Sequence, residues 1–111
     1  MGPLGPYLLP PTPGLTYGAY HTAELPYVFG LASPGGTPLT RKDLTLSRSV
    51  ISYWTSFGLT GYPSSFPYGG DPIWSNYRQG ELLNINDTIT SLPVGTFDTE
   101  HNCSFWSTIG L

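Results

Sequence analysis

Two side chains able to move a proton stand close together in the run GAYHTAELPYVFG, residues 18–30: His21 and Glu24, three positions apart in an otherwise apolar and aromatic segment closed by glycines. An imidazole titrates near neutral pH. Held by an acid and within reach of a hydroxyl, it acts as the general base of acyl transfer. A histidine whose ring is bonded and packed is an ordinary structural residue, and residue type alone favours that plainer role for His21. The strained G-x-S-x-G turn that exposes a nucleophilic serine does not occur in the 111 residues. GLASPGG, 30–36, has a serine among glycines at another spacing. His21 and His101 lie far apart, with no H-x-x-x-H or C-x-x-C pattern, so no metal or cofactor site is expected.

The remaining chemistry is sparse. Cys103 is the single cysteine and cannot form a disulfide within the chain. Two N-x-[ST] sequons, Asn86-Asp87-Thr88 and Asn102-Cys103-Ser104, are candidate N-glycosylation sites. With an odd cysteine they mildly favour a secreted protein. A reduced, buried Cys103 that packs as a small hydrophobe accounts for the count equally well.

Bulk composition narrows the classes. The chain is the length of one ordinary domain. It is 39% hydrophobic and 14% aromatic, which argues against a disordered tail. Only 10% of its residues are charged, fewer than a typical soluble surface carries, as expected of a piece that lies against something else. The net charge is −3 with four basic residues, so no basic stripe exists to neutralise phosphates and nucleic acid is not an expected partner. No apolar run is long enough for a membrane span. The start, MGPLGPYLLPPTPG, has neither the basic nor the long apolar part of a signal peptide, and Pro6 breaks the myristoylation pattern after Gly2.

The elements that must position these groups are few. Pro3, Pro6, Pro10, Pro11 and Pro13 exclude a helix from 1–17, which reads as extended chain or linker. A short helical turn fits 24–29, with Glu24 as a candidate cap, and SPGGTP, 33–38, is loop. The strongest helix is predicted over 43–60. Thr40 and Asp43 form a capping pattern, Leu46, Val50, Tyr53, Trp54 and Phe57 recur at spacings of three and four beside Ile51, and Gly61 and Pro63 stop it. Gly58 lies inside and costs about 1 kcal/mol relative to alanine. ELLNIN, 81–86, reads as a short strand, and LPVG, 92–95, as another extended piece. A last helix is expected within 99–111, capped by Thr99 or Asn102. There is no internal repeat. One helix, thin strands and much loop make a poor core of their own against the entropy of ordering the chain.

Several of these stretches, taken in order, resemble the type-B carboxylesterase and cholinesterase family, and especially its secreted fungal carboxylesterases and lipases. GAYHTAELPYVFG is similar to the family's histidine segment: a glycine, the histidine, an acidic residue three later, then a hydrophobic V-F-G. LSRSVISYWTSFGLTGYP, 46–63, resembles the helix that follows it. IWSNY, LLNIND and CSFW are weaker echoes further on, and order and spacing agree from Gly18 to Trp106. Gly58, Tyr62 and Ser75 depart from the pattern, at a helix end and in loops.

The resemblance implies an α/β fold: the C-terminal part of an α/β-hydrolase, mostly helices and loops here, with the central sheet largely missing. Residues 1–111 would be the C-terminal portion of a carboxylesterase type-B domain, made of a Pro-rich segment 1–17, a catalytic-histidine segment 18–30 and a helix 43–60. His21 would be the base of a Ser-His-acid triad, and Glu24 a buried supporting residue distinct from the triad acid. Cys103 would be half of a disulfide whose partner lies upstream. Trp54, Phe57 and Trp106 are expected in the core. The full-length protein would be a secreted hydrolase of carboxylic esters. This chain, which holds neither nucleophile nor triad acid, is expected to be inactive alone. The alternative is a non-catalytic cholinesterase-like interaction module or a truncated remnant.

Overall fold

The computed structural model of the chain describes residues 13–14, 20–31, 38–67 and 70–110. Most of the Pro-rich stretch 1–17 and of the loop predicted at 33–38 lies outside the described residues. The chain divides into two compact units with the boundary between Asp71 and Pro72.

The first unit is built on two helices, α1 (Leu25–Phe29) and α2 (Arg41–Thr60). Five residues cannot sustain a helix in water by themselves, so α1 depends on its ends and on α2. Pro26 occupies its first turn, where the missing N–H is no loss, and is buried. Gly30 closes it at φ 63°, a conformation natural to glycine, and the Leu31 N–H reaches back to the Pro26 carbonyl at 3.2 Å. Glu24 does occupy the N-cap position of α1, but its side chain makes no capping hydrogen bond.

Two residues longer at its start than the spacing predicts, α2 opens with a full capping box. The Asp43 N–H donates to Thr40 Oγ1 at 3.2 Å, and the Thr40 N–H donates to Asp43 Oδ2 at 2.9 Å. Gly61 ends it at φ 78°. Its buried residues are Val50 and Tyr53, 2% and 0% exposed, together with Ser47, Ser49 and Ser52. These serines let neighbouring backbone come close, and their hydroxyls satisfy it. Ser52 Oγ donates to the Phe66 carbonyl at 2.7 Å and to that of Ser64 at 3.1 Å. Ser56 Oγ accepts from the Ser64 N–H at 2.6 Å. The chain after the helix is thereby laced back along it. Burial pushes the Tyr53 phenol above its ordinary pKa and Asp71 adds to this, while a hydrogen bond with Ser65 pulls the other way.

The expectation that Trp54 and Phe57 belong to the core is overturned: they are 43% and 59% exposed. Their spacing marks one stripe with Val50, but the neighbours that α2 has within this unit, α1 and the returning 62–66 segment, meet its serine positions as much as its apolar ones.

The second unit begins with a 3₁₀ turn at Tyr77–Gln79, capped by Asn76, and Gly80 follows at φ 83°. A two-stranded antiparallel hairpin comes next, β1 (Glu81–Ile85) and β2 (Ile89–Pro93), with Leu82 opposite Leu92 and Ile85 opposite Ile89. The Val94 N–H donates to the Gly80 carbonyl at 2.9 Å and closes its open end. The strand predicted at 81–86 is thus present, but LPVG is not extended throughout. Val94 and Gly95 begin α3 (Val94–Glu100), since Pro93 supplies a fixed φ suited to a helix entry. Thr99, a candidate cap, lies inside α3. The last helix, α4 (Cys103–Thr108), follows Asn102, which adopts a left-handed φ of 53° and makes no side-chain cap. Trp106, expected in the core, is 47% exposed on this short helix.

Candidate active site

His21 opens a turn, 21–24, that runs directly into α1. The Ala23 N–H donates to the Tyr20 carbonyl at 3.0 Å, the Leu25 N–H to that of Thr22 at 3.1 Å, and the Tyr27 and Val28 N–H groups both to that of Glu24, at 2.9 and 3.0 Å. Within this unit the imidazole-bearing residue is exposed. Thr22 has φ 76°. This is a true outlier for a β-branched residue and holds only where its surroundings impose it. Its hydroxyl donates to the carbonyl of His21, a contact that turns the strained residue back onto the histidine.

The turn is anchored through α1. Ser47 Oγ, in the buried face of α2, donates to the Tyr27 carbonyl at 2.7 Å. The Tyr27 phenol donates to Asp43 Oδ1 at 3.2 Å. A Cβ on Gly30 would come 3.4 Å from Ile51 Cδ1 and 3.7 Å from Ser47 Oγ, so α1 ends in close contact with α2. Asp43 therefore serves both the cap of α2 and the contact with α1. Partial burial pushes its carboxyl up, but the hydroxyl and N–H of Thr40, the Tyr27 phenol and the Lys42 ammonium together hold it below the ordinary aspartate range.

Glu24 shares the turn with His21 and is exposed. The buried position that the resemblance implies for it is not observed in this unit, because nothing in α1 or α2 covers the start of α1.

The other candidate residues lie in the second unit. Asn86 stands at the tip of the hairpin, exposed, its Oδ1 accepting the Asp87 N–H at 2.9 Å. Asn102 is exposed between α3 and α4. Cys103 is a half-buried free thiol on an open groove of about 550 Å³ that it shares with Leu82, Leu92, Phe97 and Asp98. Desolvation and then the Asp98 carboxylate raise its pKa, so at neutral pH it is a thiol and not a reactive thiolate. Among the described residues no three of His, Cys, Asp and Glu gather as a metal site, and no helix is long and apolar enough to cross a membrane.

The model of the carboxylesterase family matches residues 5–106, nearly the whole chain. The chain belongs to the carboxylesterase family. It is 37% identical over 97 residues to the rat (Rattus norvegicus) bile salt-activated lipase, covering 81% of this chain and 15% of that protein. It is 31% identical over 90 residues to the chicken (Gallus gallus) acetylcholinesterase, covering 81% and 12%. A shorter stretch of 51 residues is 45% identical to human (Homo sapiens) neuroligin-2, covering 41% and 6%. This carboxylesterase-family chain thus spans about 15% of the length of the first of these relatives. No solved structure gives a significant match. Membership implies the α/β-hydrolase fold, and the four helices and two-stranded sheet among the described residues are consistent with part of such a fold.

The sequence predicts the short helical turn that follows His21 but gives no sign of Ser47 and Tyr27 as the ties between α1 and α2. The available signal was the run of serines at 47, 49, 52 and 56 along a helix otherwise read for apolar spacing.

Proposed function

We propose that this chain is the C-terminal portion of a carboxylic ester hydrolase, comprising the Pro-rich segment 1–17, the histidine segment 18–30 and the helix over 43–60, and that His21 is the catalytic base of its Ser-His-acid triad. The observation that carries the reading is the exposed His21 on a turn strained at Thr22 and fastened through α1 to α2. A core histidine needs no such presentation. In the whole enzyme His21 takes the proton of a serine hydroxyl as its oxygen attacks the ester carbonyl, then returns that proton to the departing alcohol. It next activates water against the acyl-enzyme. Glu24 has a supporting role: a carboxylate at the start of α1 suits the positive end of a helical turn. Cys103 is one half of a disulfide to an upstream cysteine, and Asn86 and Asn102 carry glycans, both in keeping with secretion. The fungal affinity rests on the likeness of 18–30 and 46–63 alone.

In the full-length polypeptide, His21→Ala is expected to lower hydrolysis of a p-nitrophenyl ester by on the order of 10⁴-fold or more, with binding little changed. Turnover close to the parent's would rule His21 out as the base. The second reading, a non-catalytic interaction module, is compatible with the neuroligin-2 match. It is favoured if the full-length polypeptide hydrolyses no ester at all before His21 is touched.

A further inference from the structure

We infer that Ser47 is a positioning residue for His21, acting through α1 at a distance from the reacting atoms; this rests on the catalytic reading of His21 above. Ser47 is 2% exposed. A hydroxyl that buried must be bonded, and several carbonyls of its own helix stand near enough in principle to accept it. It donates instead to the Tyr27 carbonyl of α1, 20 residues earlier, at 2.7 Å. Thr45, Thr55 and Thr60 in the same helix turn back to carbonyls four residues before them, whereas Ser47, like Ser52, spends its hydroxyl on backbone outside α2, and Ser47 is the one that reaches α1.

Its acceptor lies in the middle of α1, whose first N–H groups are bonded to the carbonyls of Thr22 and Glu24. From Ser47 to His21 the path is therefore a continuous run of hydrogen-bonded backbone with no loose residue. The Tyr27 side chain adds a second tie, to Asp43 at 3.2 Å. Two ties on one short helix fix its rotation as well as its distance. The turn that leads into α1 then has one orientation, and the strained Thr22 transmits that orientation to His21. General-base catalysis depends steeply on this alignment, and displacements near 1 Å cost about a hundredfold in rate.

The test uses the full-length polypeptide, with kcat normalised to sites titrated by an ester-mimicking phosphonate. Ser47→Ala should keep the number of titratable sites and the KM while kcat per site falls about tenfold to a hundredfold. A merely structural serine would give the reverse: fewer sites, each turning over normally, and that result overturns the inference. If Ser47→Ala does not fold, Tyr27→Phe decides, because it removes the part-buried second tie while sparing the Ser47 site. A several-fold loss of kcat per site supports the inference, and an unchanged value overturns it. His21→Ala is run beside both. If His21→Ala stays active, the catalytic reading falls and this one with it. If His21→Ala is dead while both other variants match the parent, only the role of Ser47 is lost.

Discussion

At the scale of residues the turn that carries His21 holds one strained position. Thr22 sits at φ 76°, a conformation that costs about 1–3 kcal/mol for an ordinary residue and nothing for glycine. Thr22→Gly is therefore expected to relieve strain without changing the direction of the turn. Amide exchange of Leu25 and Tyr27, whose N–H groups close the turn, should slow, and faster exchange would mean that the threonine hydroxyl matters more than its backbone. Asp43 makes a different kind of prediction. Its carboxyl is held below the ordinary range in the folded chain, so its contribution is fully present above the unfolded value, near pH 3.9, and fades as pH falls through the lower folded value. Amide exchange at the start of α2, corrected for the intrinsic pH effect, should be flat from neutrality to about pH 4 and accelerate below. Asp43→Asn keeps an acceptor but cannot titrate, and that acceleration should vanish.

At the scale of elements α2 is the frame and α1 its passenger. Gly58 lies in the exposed part of α2, and a Cβ there meets nothing within 4 Å. Gly58→Ala is expected to stabilise the helix by about 1 kcal/mol, read as slower exchange of the last turn before Gly61. Gly30 is the opposite case. Its φ of 63° makes Gly30→Ala destabilising by about 1 kcal/mol. The loss should fall on α1, with the cap of α2 unaffected. The contrast between these glycines shows how far the sequence could be read. Caps and stops are local, so Thr40, Asp43, Gly61 and the turn glycines declare α2 and its ends without any knowledge of the fold. Which face of α2 is covered is a tertiary matter, and there apolar spacing misleads: Trp54 and Phe57 are exposed while Ser47 and Ser52 are buried. The same limit hid α3. Leu-Pro-Val-Gly carries no helical period and so predicts extended chain, whereas the bond from Val94 to Gly80 ends the hairpin there. The turn after His21 is legible because Pro26 and Gly30 are local start and stop signals. Its anchors were not, since a serine's partner twenty residues away leaves no mark on local pattern.

At the scale of the whole molecule few apolar side chains are buried among the described residues: Val50, Tyr53 and Ile89, with Pro26. Large groups such as Phe29, Leu31, Phe57, Leu59 and Phe105 are exposed. Most of the stabilisation of an ordinary domain comes from burying such groups, and cooperative unfolding follows from sharing one core. The purified chain is expected to unfold over a broad temperature range, to bind a dye for exposed apolar surface, and to hydrolyse no p-nitrophenyl ester. A sharp melt with serine-type turnover would contradict both the inactivity and the proposed division of the triad.

The bonds that hold the histidine turn also have a bearing on time. Ser47 reaches Tyr27 across 20 residues, Tyr27 reaches Asp43 across 16, and Ser52 reaches Ser64 across 12. Closing such short loops takes well under a microsecond and costs little entropy, so contacts of this range form ahead of distant strand pairings. The α1–α2 pair and the turn it carries can accordingly be finished early, before contacts of longer range are made.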